Sequence, residues 1–192
     1  MAQVVAGLIL AGGAGERYGG PKALARLPDG TTFLQRCGET LRAAGAAPLM
    51  ATVPPGADAI AIPGVLSLPL PRAGLDMFAS IRHGLSRLLD SPDWTVVAVL
   101  PVDHPLVASE SVGALAAGAA PSAVPLYRGK RGHPVCLTRA LAEALVAGAL
   151  PGATLRDALR VAGRVDVEVD DPGVVANCNT PDRLQEALAA RR

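Results

Sequence analysis

Two basic side chains, Arg17 and Lys22, punctuate a glycine-rich segment that follows directly on an apolar run, Leu8-Ile9-Leu10-Ala11-Gly12-Gly13-Ala14-Gly15. Glycines let a backbone approach a phosphate closely and adopt positive φ, so that several N–H groups converge on an anion while the two cations answer its remaining charge. A second chemical group follows another apolar run: Val102-Asp103-His104-Pro105-Leu106-Val107 sets one carboxylate just beyond residues 94–101. Such a carboxylate suits Mg²⁺, which takes one or two protein carboxylates and lets substrate oxygens complete its octahedron. In the simpler reading the same Asp caps the next turn, and its own residues leave both readings open.

The glycine segment differs from two common phosphate binders. A Walker loop needs Gly-Lys followed by Ser or Thr, whereas Lys22 follows Pro21 and precedes Ala23. A dinucleotide fingerprint needs a third Gly where Tyr18 stands and an acid at the end of the second strand, and residues 48–53 end without one. Leu10-Ala11-Gly12-Gly13-x-Gly15-x-Arg17 followed by Lys22 instead closely resembles the signature of nucleotidyltransferases, which join a nucleoside triphosphate to a phosphorylated acceptor and release pyrophosphate.

The elements that must position these groups alternate along the chain. Residues 3–10 and 94–101 are nearly continuous apolar runs, as expected of central parallel strands covered on both faces. Shorter strands are predicted at 48–53, 65–69, 122–126 and 165–169, with a returning strand near 134–137. Helical spacing predicts helices at 32–44, 73–89, 109–119, 138–147, 154–159 and 180–190. This alternation predicts an α/β fold: a Rossmann-like, doubly wound, mostly parallel sheet with helices on both faces, and ligands beyond the carboxyl ends of its strands. The glycine loop and Asp103 both fall at such ends.

Composition sets the outer bounds. The 192 residues suffice for a single domain over 1–192 with a sizeable core, which the scarcity of aromatics (3%) leaves to Ala, Val and Leu. Formal charge is +1 with both signs interspersed, so no broad basic face for nucleic acid is expected. No apolar run approaches the roughly twenty residues of a membrane span, and Met-Ala-Gln opens without a basic leader, so the expectation is a cytoplasmic protein. Cys37, Cys136 and Cys178 are widely spaced, without any C-x-x-C, and are expected to be small buried thiols.

Further motifs extend the resemblance over nearly the whole chain: Gly74 to Leu85 with Ser80 and Gly84, Val102-Asp103-His104-Pro105-Leu106-Val107, Gly132-His133-Pro134-Val135, Leu155-Arg156-Asp157-Ala158-Leu159, and Asn177-Cys178-Asn179-Thr180-Pro181-Asp182. In this order they resemble the MobA/MocA-like family of molybdenum cofactor nucleotidyltransferases. The opening and closing motifs are the most specific; the helical segments are weak.

The resemblance implies transfer of CMP or GMP from CTP or GTP to molybdopterin, with Mg²⁺ as the required ion and a molybdoenzyme or its chaperone as a further partner. Carried over by position, Leu10, Ala11, Gly12, Gly13 and Gly15 contact the nucleotide, and Arg17 and Lys22 hold its phosphates and act in catalysis with Asp103. Gly74 and Ser80 fall where such enzymes touch the nucleotide, and His133 and Pro134 line the acceptor side. Asp103 and Asn179 are the metal ligands, Asn179 replacing an acid that many relatives carry.

Base choice is divided. Ala11-Gly12-Gly13 and Asn177-x-Asn179 resemble guanylyltransferases, while Pro21-Lys22, the Asp103 motif and Gly132-His133-Pro134-Val135 resemble cytidylyltransferases; the greater stretch of chain favours CTP. A related cytidylyl- or sugar-phosphate nucleotidyltransferase, and a non-catalytic nucleotide-binding accessory of a molybdoenzyme, are the alternatives. Among the histidines, His83 is expected to be solvated or hydrogen-bonded, His104 to orient the Asp103 turn, and His133 to face the pocket. Arg72, Arg128, Lys130 and Arg131 read as a solvated rim, with Lys130 and Arg131 able to attract an anionic acceptor.

Overall fold

A computed structural model of the chain describes residues 3–13, 20–57 and 62–190. The described residues form eight strands and six α-helices: β1 (Val5–Leu10), α1 (Phe33–Ala43), β2 (Leu49–Val53), β3 (Leu66–Pro69), α2 (Met77–Leu88), β4 (Val96–Pro101), α3 (Ser109–Gly118), β5 (Ser122–Tyr127), β6 (Lys130–Arg131), β7 (Val135–Thr138), α4 (Arg139–Val146), α5 (Leu155–Ala162), β8 (Val165–Glu168) and α6 (Pro181–Ala189). The strands all lie in one sheet of order β3-β2-β1-β4-β7-β5-β6, with β8 on the other edge of β5.

Strands β3, β2, β1 and β4 run parallel, as β5 and β8 do, whereas β7 is antiparallel to both β4 and β5. Strands β6 and β7 pair with the same edge of β5 and are separated by the Gly132–Pro134 interruption, so they form one returning strand broken in the middle. That break carries His133 out of the ladder.

The central strands have no solvated face. All six residues of β4 are buried, and alternate ones serve opposite layers: Val96, Ala98 and Leu100 join one core with Phe33, Leu41, Leu115 and Leu184, while Val97 and Val99 join the other with Ile81, Leu85, Leu141 and Leu159. Helices α1, α3 and α6 therefore cover one face and α2, α4 and α5 the other. The largest fully buried side chains are mostly leucines, as the aromatic-poor composition requires. At Gly84 an added Cβ would come within 2.6 Å of the Leu8 side chain, so α2 packs closely on β1 there.

Helix starts follow local chemistry. Thr32 and Gln35 form a reciprocal capping box at α1, and Asp76, Thr138, Thr154 and Thr180 each accept the N–H three residues on. Asp76 also accounts for a correction: the helix expected from residue 73 begins at Met77. The Asp76 carboxylate accepts from Ala79 N–H at 2.8 Å, and Gly74 at φ 68° belongs to the loop before it. Among the described residues no helix is long and apolar enough to cross a membrane.

Candidate active site

Parallel pairing brings the carboxyl ends of β1 and β4 side by side. Leu10 is in register with Pro101, and Val102 N–H donates to Leu10 O at 3.1 Å, so the glycine segment and Asp103 leave the sheet as neighbours. Leu10 is half-buried and Ala11 buried, and Ala11 N–H continues the ladder to Thr52 O. At Gly12 a Cβ would lie 2.3 Å from Leu70, which seats the start of the loop against the chain after β3; beside Gly13 the space is open. Gly15 and Arg17 lie outside the described residues.

Lys22 opens a short 3₁₀ turn, Lys22–Leu24, pinned by the fully buried Ala23. Its ammonium lies 3.3 Å from Asp103 Oδ2 and also donates to Asn179 Oδ1. Three sequence-distant residues thus meet at one cation. The other Asp103 oxygen, Oδ1, is 3.0 Å from His104 Nδ1, and the buried His104 ring meets His133 edge to face, with centroids 4.7 Å apart.

These neighbours set the charge of the site. Burial by itself raises the Asp103 pKa, but the hydrogen bond and charge of His104, then those of Lys22, outweigh it and hold the carboxyl down at about 2. Asp103 is therefore ionised at neutral pH. His133 is lowered as well, but toward its neutral form: burial, with the nearby His104 charge and against the pull of Asp103, brings it to about 4. Its Nδ1 is sealed from solvent without a hydrogen-bond partner.

A turn near the end of the chain clamps these parts together. His133 N–H donates to Val174 O at 2.8 Å, and Cys178 N–H to Asp103 O at 2.8 Å. The turn, Pro172–Val175, fits only because it carries and faces glycine: a Cβ on Gly132 would stand 2.0 Å from Val174 O, and one on Gly173 would stand 2.0 Å from Leu106 O. Asp171, 4% exposed, anchors it by accepting from Gly173 N–H, Ala108 N–H and Ser111 Oγ. Sequence reading missed Asp171, although Asp-Pro-Gly is a turn signal that points to it.

The remaining expected residues fall as follows. Gly74 is exposed in the loop before α2, while Ser80 is buried with its hydroxyl donating to Asp76 O at 2.9 Å. Pro134 is buried at the start of β7. His83 lies 3.2 Å from Pro69 O, the hydrogen-bonded role expected of it. Arg131 grips Asp166 through two bonds, at 2.8 and 2.6 Å, and is thereby committed to the sheet rim. All three cysteines are free and buried, as expected.

Asp103 and Asn179 fit a divalent cation by donor chemistry, since a carboxylate and an amide oxygen already flank the Lys22 ammonium. Hard oxygen donors suit Mg²⁺ or Mn²⁺. Among the described residues no cluster of three or more His, Cys, Asp or Glu is placed to hold a metal.

Comparison with known proteins agrees with this architecture. The chain is similar to an Rv0371c homologue from Mycobacterium sp. strain JC1, with 25% identity, 97% of this chain and 96% of that one covered, and a TM-score of 0.76. It is similar to Rv0371C of Mycobacterium tuberculosis H37Rv, solved in complex with manganese, at 23% identity with 98% and 100% covered and a TM-score of 0.75. A third likeness is to molybdopterin-guanine dinucleotide biosynthesis protein A of Archaeoglobus fulgidus, at 16% identity with 97% and 99% covered and a TM-score of 0.69. No curated protein sequence matches the chain. The sequence profile of the MobA-like NTP transferase domain matches residues 7–167, spanning β1 through β8 and both loops that carry Lys22 and Asp103, and the chain belongs to that family.

Proposed function

We propose that residues 1–192 act as one Mg²⁺-dependent nucleotidyltransferase domain, which moves a nucleoside monophosphate from CTP to a phosphorylated acceptor of the molybdopterin type. The observation that carries this reading is the meeting of Lys22, Asp103 and Asn179 at the carboxyl ends of β1 and β4. An ammonium and a carboxylate beside a glycine turn suit a reaction whose demand is charge stabilisation, with no protein nucleophile needed.

An acceptor phosphate oxygen forms the new bond to the α-phosphorus as the bond to the bridging oxygen breaks, and that electron pair departs with pyrophosphate. Lys22, with Arg17, neutralises the charge that grows on the leaving group, and the backbone of residues 10–15 orients the triphosphate. Gly74 lies in the loop following the Leu70 contact with Gly12, so it borders the nucleotide from the β3 side, with Ser80 supporting that loop through Asp76. Asp103 and Asn179 would hold Mg²⁺, which when bound supplies positive charge to the phosphate oxygens. His133 and Pro134 border the acceptor, and His133 Nδ1 has no hydrogen-bond partner within the protein.

GTP is the second reading. The Gly12 position is accounted for by its packing on Leu70, which leaves Asn177 and Asn179 as the features favouring GTP. The likeness to a protein of molybdopterin-guanine dinucleotide biosynthesis is in keeping with a molybdopterin-type acceptor. On this reading the protein works in the cytoplasm and passes its product to a molybdoenzyme or its chaperone.

Pyrophosphate release with CTP, GTP, ATP and UTP, each with and without molybdopterin and Mg²⁺, tests all of this. Release with CTP that needs both molybdopterin and Mg²⁺ is expected. Nucleotide-dependent thermal protection without pyrophosphate release would mark a binding accessory instead.

A further inference from the structure

The backbone around Asp103 is held from two directions. Its carbonyl accepts the Cys178 N–H at 2.8 Å, and the next N–H, that of His104, donates to Pro101 O at 3.1 Å. Neither bond sets the direction of the carboxylate, because the terminal torsion of an Asp side chain is broad and roughly two-fold. A contact to one of the carboxylate oxygens has to do so.

His104 supplies that contact. An ionised carboxylate only accepts hydrogen bonds, so His104 Nδ1, 3.0 Å from Oδ1, carries a proton and donates. With Oδ1 engaged in this way, Oδ2 is the oxygen that faces Lys22 at 3.3 Å. The imidazole of His104 has the same rotational softness as the carboxylate. It is braced in turn by the edge-to-face contact with His133, whose ring plane is inclined to it by 63°.

His133 is fixed through its own backbone. Its N–H is bonded to Val174 O, a Cβ on the preceding Gly132 would stand 2.0 Å from that same carbonyl oxygen, and Pro134 after it is buried. Burying Nδ1 without a partner costs stability, and such an atom in a folded protein calls for a compensating use of its side chain. A ring surface held against His104 is such a use.

Resting on the transferase reading above, we propose that His104 and His133 are positioning residues that orient the Asp103 carboxylate, so that Oδ2 is presented to the divalent ion. His104 acts on Asp103 through a hydrogen bond. His133 acts on His104 through the shape of its ring and not through its nitrogens.

Titration of Mn²⁺ into the protein without nucleotide, followed by paramagnetic resonance, reads the orientation directly, with Asp103→Ala as the reference for a lost ligand. His104→Leu should weaken Mn²⁺ binding by about tenfold to a hundredfold, the scale of losing a group that orients a metal ligand. The same variant should lower kcat for pyrophosphate release by a similar factor and leave KM for molybdopterin unchanged. His104→Asn, whose amide can donate from near the position of Nδ1, should restore most of both. His133→Phe keeps a ring and should keep Mn²⁺ affinity and kcat, with a melting temperature that holds or rises because the unpaired Nδ1 is gone. His133→Ala should lose Mn²⁺ affinity as His104→Leu does, and this pair tests the same chain of contacts should His104→Leu fail to fold. Wild-type Mn²⁺ affinity in His104→Leu, beside a loss in Asp103→Ala, overturns the positioning assignment and leaves the transferase reading standing. Equal losses in His133→Phe and His133→Ala overturn the part given to the His133 ring. Wild-type Mn²⁺ affinity in Asp103→Ala removes the metal from Asp103 and overturns the proposal together with that part of the transferase reading.

Discussion

Lys22 Nζ lies 3.3 Å from Asp103 Oδ2 although 81 residues separate them, and it is shared with Asn179 Oδ1. One ammonium thus joins the chain after β1, the chain after β4 and the start of α6. These two oxygens are the ones the proposed transferase reading assigns to a divalent ion, and on that reading Lys22 turns toward the phosphates when metal and nucleotide enter.

Lys22→Ala and Asp103→Ala should each lower kcat by about a hundred- to thousandfold, the scale of losing one charge-stabilising group. Both variants should keep the wild-type far-UV circular dichroism, since neither side chain belongs to the core. A variant within tenfold of wild type in pyrophosphate release would remove that residue from the chemistry.

Asn179→Asp places a second carboxylate on the same cation. Titration with Mn²⁺ in the absence of nucleotide, followed by paramagnetic resonance, should show affinity raised by about tenfold, as added ligand charge demands. Unchanged affinity would argue that residue 179 does not face the metal.

The His133 shift has a sign that can be measured. Its ordinary value of 6.5 falls to about 4 on folding, so the unfolded chain takes up a proton first as the pH drops. Stability assigned to neutral His133 is therefore complete above about 6.5 and lost as pH falls from there to about 4, amounting to about 1–3 kcal/mol. Urea unfolding of wild type and His133→Gln at pH 7 and pH 4.5 should show the smaller acid loss in the variant. Equal losses would contradict burial of a neutral imidazole.

Asp171→Ala removes one carboxylate that serves two backbone N–H groups and Ser111. Leaving those donors unpaired should cost about 2–4 kcal/mol and lower the melting temperature by about 5–12 °C. Because the Pro172–Val175 turn also accepts the His133 N–H, activity should fall with stability. A melting temperature within 2 °C of wild type, on the scale of about 2–4 °C per kcal/mol, would show that the anchor is dispensable.

Burial pushes the Cys136 thiol up to about 12 and Cys178 to about 11, the Asp103 charge adding to the latter, and Cys37 higher still. Almost no thiolate exists at pH 8, so a disulfide reagent should label none of the three in the native protein and all of them after unfolding. Rapid native labelling would place a cysteine outside the core.

Much of the frame is legible in residue order alone. Uninterrupted apolar runs mark β1 and β4 because strands covered on both faces need no polar side, and Thr or Asp marks where every α-helix except α3 begins. The glycine loop, Lys22 and Asp103 are legible for the same reason: they sit where apolar runs stop, and strand ends are where an α/β sheet binds ligands. Helix α2 is where periodicity overreaches, since residues 73–76 continue the apolar spacing while Gly74 and the Asp76 cap hold them in a loop.

Tertiary structure alone decides what meets. Spacing says nothing of Asp103 bonded to His104, of the His104 ring packed edge to face on His133, or of the 172–175 turn seated so closely against Gly132 and Leu106 O that neither Gly132 nor Gly173 has room for a Cβ. Residue types and local propensities act over a turn or two of chain, and the sequence by itself therefore determines elements and the chemical groups at their ends. Closure of distant segments is set by sheet order and by how closely backbones can approach, and only the folded chain specifies those.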